Sequence, residues 1–226
     1  DDIKCAGDTL AGITADISGG TGDLSAEWST GSNSLNSGPV VAGTYSLTVS
    51  DENNCSTMTE IEIEEPLPLS NTEDTNPPFC PNDSSGVISL NPSGGTPPYR
   101  FDWDHTAVDT NMLDHLGGGT YRYTITDNNG CTLSDSVVFN IPAPISYNLQ
   151  INHETGLNRN DGSASLSDLS GGYPPYSIQW STGDTTLDIS DLMPGMYSFT
   201  IADTNNCEVF EDFTIEAFEC TLSLGF

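Results

Sequence analysis

Basic residues and long apolar runs are almost missing from this sequence. Lys4, Arg100, Arg122 and Arg159 stand against 33 acidic residues, which gives a formal net charge of −29 at pH 7. A surface of that sign repels nucleic acid and anionic lipid, so we expect neither as a partner. No apolar run approaches the ~18 residues of a membrane span, so no insertion into a membrane is expected. No basic-then-apolar leader opens the chain, so any targeting segment should lie outside these residues.

Sequence signatures of catalysis are also lacking. There is no Gly-x-Ser-x-Gly elbow, no His-Glu-x-x-His pair and no glycine loop of the type that cradles phosphate. Carboxylates are numerous, but an acidic coat always offers close carboxylate pairs, so their proximity does not indicate acid–base chemistry. The sequence therefore predicts a protein that is not an enzyme.

One pattern recurs three times with a period of about 76 residues, and we call the copies repeat 1, repeat 2 and repeat 3. Each copy contains a Ser-Gly-Gly turn, a Trp, a Gly-x-Tyr turn and a loop that ends in Cys. A fixed period is the mark of a tandem array. The predicted domains are 1–65, 66–142 and 143–217, followed by a segment 218–226.

Alternating apolar residues predict β-strands in every repeat. In repeat 3, Tyr176, Ile178 and Trp180 alternate with polar residues, which is typical of a half-buried strand. No window shows helical apolar spacing with caps. Short strands between Gly/Pro turns predict an all-β fold of three tandem immunoglobulin-like β-sandwich domains in an elongated rod. The residues expected to fill the cores are Trp28, Trp103, Trp180, Tyr45, Tyr121 and Tyr197.

The two ends of the chain are complementary in the register of the repeat. Repeat 1 lacks its own first strand, whereas 218–226 has the pattern of a first strand with no repeat after it. Either the chain is cut from a longer array, or this strand completes repeat 1 of a neighbouring copy by donor-strand exchange. The second alternative predicts a head-to-tail polymer. Its assembly strand would contain Thr221, Leu222, Ser223 and Leu224.

Six cysteines and an almost lysine-free composition indicate an oxidising, extracellular setting. Two cysteines precede a Ser-Gly-Gly turn by the same spacing, and a second cysteine closes each of those repeats, which favours one disulfide within each repeat. In repeat 3, Cys220 is the candidate partner of Cys207, although an intermolecular bond from Cys220 that locks a filament is an alternative. The predicted disulfides are Cys5–Cys55, Cys80–Cys131 and Cys207–Cys220.

Calcium is the one cofactor for which the pattern offers ligands. Asp and Asn recur in the loop before each repeated Cys and again before the second strand. Hard oxygen ligands on loops suit Ca²⁺, but Asp and Asn also build such turns by hydrogen bonding to the backbone, and both alternatives stay open. The candidate ligands are Asp51, Asp127, Asp203, Asp83 and Asp161.

The order of these motifs resembles the SprB repeat of Bacteroidetes surface proteins. Repeat 3 carries the fullest set, with Trp180–Thr186, Ile189–Leu192 and Asp203–Cys207 after its Ser-Gly-Gly-Tyr-Pro-Pro-Tyr turn. Repeat 2 departs from the pattern at 104–107, and repeat 1 lacks the Pro-Pro-Tyr. The resemblance implies long secreted proteins on the cell surface, exported by the type IX system and used in gliding motility or adhesion. It implies no catalytic residues.

These observations predict a structural role as an extracellular, cell-surface repeat segment of a bacterial adhesin or filament, in which tandem domains give reach and mechanical extension. One alternative is a self-assembling filament subunit joined head-to-tail by donor-strand exchange. Another is an array of carbohydrate-binding modules, which would need an exposed strip of aromatic residues. The expected partners are neighbouring repeats, copies of the chain, or a surface or glycan ligand.

Overall fold

The computed structural model describes residues 2–10 and 12–220. Fifteen β-strands lie in these ranges, and they contain no helix. A membrane-crossing helix, long and apolar, is accordingly not found in the described part of the chain. The prediction of an all-β fold is confirmed. The predicted assembly strand, with Thr221, Leu222, Ser223 and Leu224, lies outside the described residues.

Repeat 1 contains one three-stranded antiparallel sheet. Its strands are β1 (Ser25–Trp28), β2 (Gly43–Ser50) and β3 (Ser56–Ile63), in the order β1-β2-β3. Trp28 is the cross-strand partner of Leu47, and both side chains are buried. The alternation of apolar and polar residues therefore gives this sheet one face toward a small core.

Repeat 2 contains two three-stranded sheets. Its strands are β4 (Ser70–Asn76), β5 (Gly86–Ser93), β6 (Arg100–Trp103), β7 (Met112–Leu116), β8 (Gly119–Thr126) and β9 (Thr132–Phe139). One sheet has the order β4-β5-β7 and the other β6-β8-β9. The buried hydroxyl of Tyr123 in β8 donates a hydrogen bond to Glu73 of β4, and it accepts one from Nδ2 of Asn71 at 3.0 Å. Burial and the bond to Glu73 raise the pKa of Tyr123 above its usual range.

Repeat 3 has the same two-sheet plan and a core rich in aromatic rings. Its strands are β10 (Ser146–Asn152), β11 (Gly162–Ser170), β12 (Ser177–Trp180), β13 (Asp188–Leu192), β14 (Gly195–Ala202) and β15 (Glu208–Ile215). The sheets have the orders β10-β11-β13 and β12-β14-β15. The Trp180 ring lies 5.2 Å from Phe199 and 5.7 Å from Phe213, centroid to centroid, and all three side chains are buried.

The Ser-Gly-Gly turn of repeat 2 packs against the proline-containing linker that precedes the repeat. The N–H of Gly95 donates to the carbonyl of Leu67 at 2.7 Å. Gly94 has a φ of +70°, and a side chain there would overlap the carbonyl of Pro68, so only glycine fits. The strand β4 begins only at Ser70, because the carbonyls of Leu67 and Pro68 are turned toward these glycines. The equivalent contacts in repeat 3 are made by Gly171, Gly172, Ala143 and Pro144.

The chain divides into two compact units, and the division runs through repeat 2. Unit 1 comprises Asp1–Asp74, Ile88–Leu113 and Tyr121–Val137, and unit 2 comprises Thr75–Val87, Asp114–Thr120 and Val138–Phe226. The domain boundaries expected from the sequence, at 65, 142 and 217, stay a prediction, as does the elongated rod.

Candidate functional site

The last two strands of every repeat form a hairpin whose turn ends in a cysteine. Cys55, Cys131 and Cys207 each lie directly before a last strand of eight residues, which is β3, β9 or β15. Eight residues of strand span about 25 Å. We call the end that carries the cysteine turn the hairpin end of a repeat. The end at which the last strand finishes is the exit end.

An aspartate holds each hairpin turn in shape. In repeat 3, Oδ1 of Asp203 accepts hydrogen bonds from the N–H groups of Asn205 at 2.8 Å and Cys207 at 3.0 Å. Its Oδ2 accepts from the N–H of Tyr173 at 2.8 Å, which ties the hairpin turn to the residue after the Ser-Gly-Gly turn. Burial by itself raises the pKa of Asp203, but these three donors outweigh it and hold the pKa below the ordinary value.

The other aspartates proposed as calcium ligands also accept hydrogen bonds from backbone N–H groups. Asp51 and Asp127 repeat the arrangement of Asp203, while Asp83 accepts from Ser85 at 2.8 Å and Asp161 from Thr155 at 2.9 Å. In residues 2–10 and 12–220, no group of three or more His, Cys, Asp or Glu side chains is placed to hold a metal. The structure thus assigns these carboxylates to turn stabilisation, and calcium binding stays a prediction.

The disulfides join cysteines of consecutive repeats. Cys5 is bonded to Cys131 and Cys80 to Cys207, at sequence separations of 126 and 127. Cys55 and Cys220 are unpaired and exposed. The pairing expected from the sequence, namely Cys5–Cys55, Cys80–Cys131 and Cys207–Cys220, is therefore wrong.

The pairing within a repeat fails because its two cysteines lie at opposite ends of a strand. The N–H of Gly7 donates to the carboxylate of Glu65 at 2.5 Å, and Glu65 follows β3, so the turn that contains Cys5 lies at the exit end. Cys55 lies at the hairpin end, about 25 Å away along β3. A disulfide needs Cα atoms within about 7 Å of each other. Cys207 and Cys220 are likewise separated by the whole of β15.

Each disulfide is surrounded by contacts that sequence reasoning did not identify. Nδ2 of Asn129 donates to the carbonyl of Lys4 at 3.0 Å, so the hairpin turn of repeat 2 lies against the residue before Cys5. Sγ of Cys207 lies 3.6 Å from the carbonyl of Phe79, again the residue before the partner cysteine. A main-chain acceptor has no sequence signature. The Asn two residues after the aspartate recurs in all three turns, and this recurrence was the sequence signal for a contact at the hairpin turn.

The three tryptophans lie in the cores and also fix the variable segment that follows them. Trp28, Trp103 and Trp180 are between 1% and 4% exposed. Each indole N–H donates to a carbonyl six or seven residues further on, and the acceptors are Ser34, Thr110 and Thr186. Burial of a Trp is stabilising when its N–H finds such a partner.

The tyrosines of the Gly-x-Tyr turns hold the chain just before their strands. Tyr121 is buried, and Tyr45 and Tyr197 are half-buried. The hydroxyls of Tyr45 and Tyr197 donate to the carbonyls of Val41 and Met193, four residues upstream. Bonding of a tyrosine hydroxyl to the backbone a few residues upstream is a feature of immunoglobulin domains.

Repeat 3 also has an open groove of about 920 Å³ along β11, β12 and β14. Its apolar lining includes Leu169, Tyr176 and Ile178. The half-buried Tyr147 is not part of it, since its ring meets Phe199 of the core at 5.3 Å and its hydroxyl donates to Glu211. A glycan ligand stays a prediction, for which this groove offers an apolar recess.

The family comparison supports the resemblance noted in the sequence. The SprB repeat matches residues 72–107 and 157–185, which belong to repeats 2 and 3. Repeat 1 is outside the matched segments, so three SprB repeats are not confirmed. No curated protein matches the chain. SprB repeats are from cell-surface proteins, and two disulfides fit an extracellular location because disulfides persist in oxidising compartments.

Solved immunoglobulin-domain structures share the fold. The chain is similar to the N-terminal eight Ig domains of Down Syndrome Cell Adhesion Molecule (DSCAM) isoform 1.30.30. That match has a TM-score of 0.51 and 14% identity, and it covers 97% of this chain but only 36% of that one. A match to Sidekick-1 immunoglobulin domains 1–5 has a TM-score of 0.30 and 12% identity, and it covers 90% of this chain and 57% of that one. The protein is thus an all-β chain with an immunoglobulin-like fold, and its residues 72–107 and 157–185 match the SprB repeat.

Proposed function

We propose that this chain is a structural, load-bearing repeat segment of a bacterial cell-surface adhesin, with a role in adhesion or gliding. The observation that carries the proposal is the pair of disulfides between consecutive repeats. A disulfide at this position lets tension pass from one repeat to the next without unravelling the chain between its cysteines. The SprB-repeat match and the immunoglobulin-domain neighbours support a structural rather than an enzymatic role.

The two disulfides shorten the covalent path between Cys5 and Cys207, and this limits how far the chain can be extended. Along the backbone, 202 residues separate Cys5 from Cys207 (207 − 5). Through both disulfides, the route uses only the 51 residues between Cys80 and Cys131 (131 − 80). At about 3.5 Å per extended residue, these paths correspond to roughly 700 Å and 180 Å. Even when it is completely unfolded, the oxidised chain can therefore extend between Cys5 and Cys207 to only about a quarter of the length that the reduced chain can reach.

Single-molecule pulling on the chain with a handle at each terminus tests this role. We expect the oxidised protein to stop lengthening at about 180 Å between Cys5 and Cys207, and the reduced protein at about 700 Å. On cells that display the parent protein, replacing Cys5, Cys80, Cys131 and Cys207 by Ser should lower the shear force at which the cells detach. Replacing the exposed Asp212 by Ala, which leaves all six cysteines in place, is the control. Unchanged detachment of the four-Ser variant would contradict the load-bearing role.

The head-to-tail filament is a second candidate, and it is favoured by the two cysteines that the inter-repeat disulfides leave unpaired. In that case the polymer, and not the single chain, would carry out adhesion.

A further inference from the structure

Repeat 1 has an open site next to its unpaired cysteine. Gly19 is the first glycine of the Ser-Gly-Gly turn of repeat 1. A Cβ atom placed on Gly19 would have no neighbouring atom within 4 Å, so the space beside this glycine is open. A cavity of about 210 Å³ lies there, lined by Gly19, Cys55 and the apolar side chains of Ile17, Leu24 and Val49. An exposed thiol and apolar surface thus share one recess at the hairpin end of repeat 1.

The same place is filled in repeats 2 and 3. The glycine equivalent to Gly19 is Gly94 in repeat 2 and Gly171 in repeat 3, and these two glycines are covered by the carbonyls of Pro68 and Pro144. In repeat 3, Pro144 and Cys207 also line one cavity. In repeat 3, the residue that covers the glycine and the hairpin cysteine therefore face the same cavity.

Counting positions after the last strand of each repeat identifies the linker residue that would cover Gly19. Pro68 is five residues after Ile63, the last residue of β3, and Pro144 is five residues after Phe139, the last residue of β9. Five residues after Ile215, the last residue of β15, the chain has Cys220. Repeat 3 therefore carries a thiol at the linker position whose counterpart, Pro144, lines one cavity with the hairpin cysteine Cys207.

Local contacts at the exit end of repeat 3 agree with this register. The N–H of Phe218 donates to Oε2 of the buried Glu154 at 3.3 Å, and the N–H of Glu154 donates to the carbonyl of Glu216 at 3.2 Å. Glu154 lies in the turn that corresponds to the Cys80 turn of repeat 2, where repeat 3 has Gly156 in place of the cysteine. Repeat 3 thus lacks a thiol on this turn but has one two residues beyond Phe218.

The hairpin turn of repeat 1 is built like the two that are bonded. Asp51 accepts from the N–H groups of Asn53 and Cys55 at 2.9 Å each, as the equivalent aspartates do around Cys131 and Cys207. Those two cysteines bond to residues 126 and 127 positions earlier. Among residues 2–10 and 12–220, Cys55 has no such partner, and the other unpaired cysteine is Cys220.

We propose that Cys55 of one copy forms a disulfide with Cys220 of a second copy, whose linker covers Gly19 as Pro68 covers Gly94. The contact is head-to-tail, and it continues the exit-end-to-hairpin-end order of the two intramolecular disulfides. It goes beyond the load-bearing role and does not depend on what the segment adheres to. Because Cys55 lies at the hairpin end of repeat 1 and Cys220 follows the last strand of repeat 3, the contact joins two different surfaces and propagates into a covalent polymer.

The bond forms by thiol–disulfide exchange with a small-molecule disulfide such as oxidised glutathione. The thiolate of Cys220 first attacks that disulfide and releases one small thiol, which leaves Cys220 as a mixed disulfide. The thiolate of Cys55 then attacks Sγ of Cys220, so that the Cys55–Cys220 bond forms and the second small thiol leaves with its electron pair and a proton. Two protein thiols are oxidised, and one small disulfide is reduced to two thiols.

Charge sets the conditions for this contact. Glu219 precedes Cys220 and Glu52 lies in the Cys55 turn, and each copy carries a formal charge of −29. Like charges oppose docking at low ionic strength, whereas about 0.15 M salt shortens the screening length to about 8 Å. We therefore expect polymer yield to rise with salt concentration.

The test uses the whole 226-residue chain in a glutathione redox buffer. Wild type should give a ladder of reduction-sensitive multimers on non-reducing gels, and peptide mapping should show the Cys55–Cys220 link. The Cys55→Ser and Cys220→Ser variants, each alone, should stay almost entirely monomeric. Their equimolar mixture should give heterodimers in about tenfold excess over either homodimer, because one thiol of each kind then meets its docking site.

Three results would overturn the proposal. One is wild-type protein that stays monomeric with both thiols free. A second is a Cys55–Cys220 link found within the monomer band. The third is homodimers and heterodimers of the two variants in statistical proportion, which would mean random oxidation of exposed thiols. The pulling experiment on monomeric Cys55→Ser protein is unaffected by any of these results, so failure of this inference and failure of the load-bearing role are distinguishable.

Discussion

At the scale of single residues, the hairpin aspartates stabilise the part of each repeat that carries the cysteine. Asp203 is 5% exposed, yet its carboxylate has three backbone N–H donors. A buried charge is tolerated when it is this well hydrogen-bonded. The recurrence of Asp in this loop is therefore explained by the turn itself, which must present the cysteine in a fixed direction.

Replacing Asp203 by Ala should lower the free energy of unfolding of repeat 3 at pH 7 by about 2 kcal/mol, because buried N–H groups lose their acceptor. The pKa of Asp203 in the folded protein lies below its ordinary value of 3.8. Its contribution is thus fully present above pH 4 and is lost as the pH falls through the folded-state pKa. Urea unfolding between pH 3 and pH 8 should show the difference from wild type shrinking below pH 4.

Asp212→Ala is the matched control for that measurement, because Asp212 is exposed in β15 of the same sheet. Replacing Asp212 by Ala should change the free energy of unfolding only slightly at every pH. A loss of stability in Asp203→Ala that is equally large at pH 3 and pH 7 would show that the carboxylate charge is not what the turn needs.

At the scale of elements, β14 shows how one strand serves both the core and the surface. Ile201 is fully buried among the aromatic rings of repeat 3, while Met196 on the same strand is 77% exposed. Successive side chains of a strand point to opposite faces, so the apolar period of two is what places Phe199 and Ile201 in the core. The exposed Met196 contributes little to the burial that stabilises the repeat.

Replacing Ile201 by Ala should destabilise repeat 3 by about 3 kcal/mol, because the change removes buried methyl groups and leaves a cavity. Met196→Ala on the same strand should change stability by less than about 0.5 kcal/mol. Hydrogen exchange of the β14 and β15 amides measures both effects in the intact chain. Equal protection in the two variants would mean that Ile201 is not part of the cooperative core.

At the scale of the whole molecule, the covalent connections follow the order of the repeats. The loop closed by Cys5 and Cys131 and the loop closed by Cys80 and Cys207 overlap between residues 80 and 131. Every residue from 5 to 207 therefore lies in a closed loop. A chain of small repeats, each with a limited core, is in this way tied together by bonds that do not depend on the cores.

Removal of one of these disulfides should lower the stability of the folded protein substantially. The Cys5→Ser/Cys131→Ser protein should lose about 5 kcal/mol of stability in unit 1 on the loop-entropy estimate for a separation of 126 residues. The Cys55→Ser/Cys220→Ser protein is the control, and it should unfold at the same urea concentration as monomeric wild type. A similar loss in both would show that Ser at an exposed cysteine position is harmful in itself.

Much of this fold could be predicted from local pattern. The strand positions follow from the alternation around Trp28, Trp103 and Trp180, and the turns follow from the glycines. The three-fold recurrence placed equivalent residues at equivalent sites without any knowledge of their contacts. Such features depend on neighbours within a few residues, and that is why periodicity reveals them.

Disulfide partners, in contrast, could not be predicted, because spacing along the chain does not say which end of a strand a residue occupies. Cys5 and Cys55 have the spacing of a pair, yet β3 holds them about 25 Å apart. The sequence by itself determined the repeat, the all-β class and the acidic surface, since these rest on composition and local periodicity. Only the tertiary structure decided that disulfides link consecutive repeats and leave Cys55 and Cys220 exposed and unpaired, because contacts between residues more than a hundred positions apart depend on the packing of whole repeats.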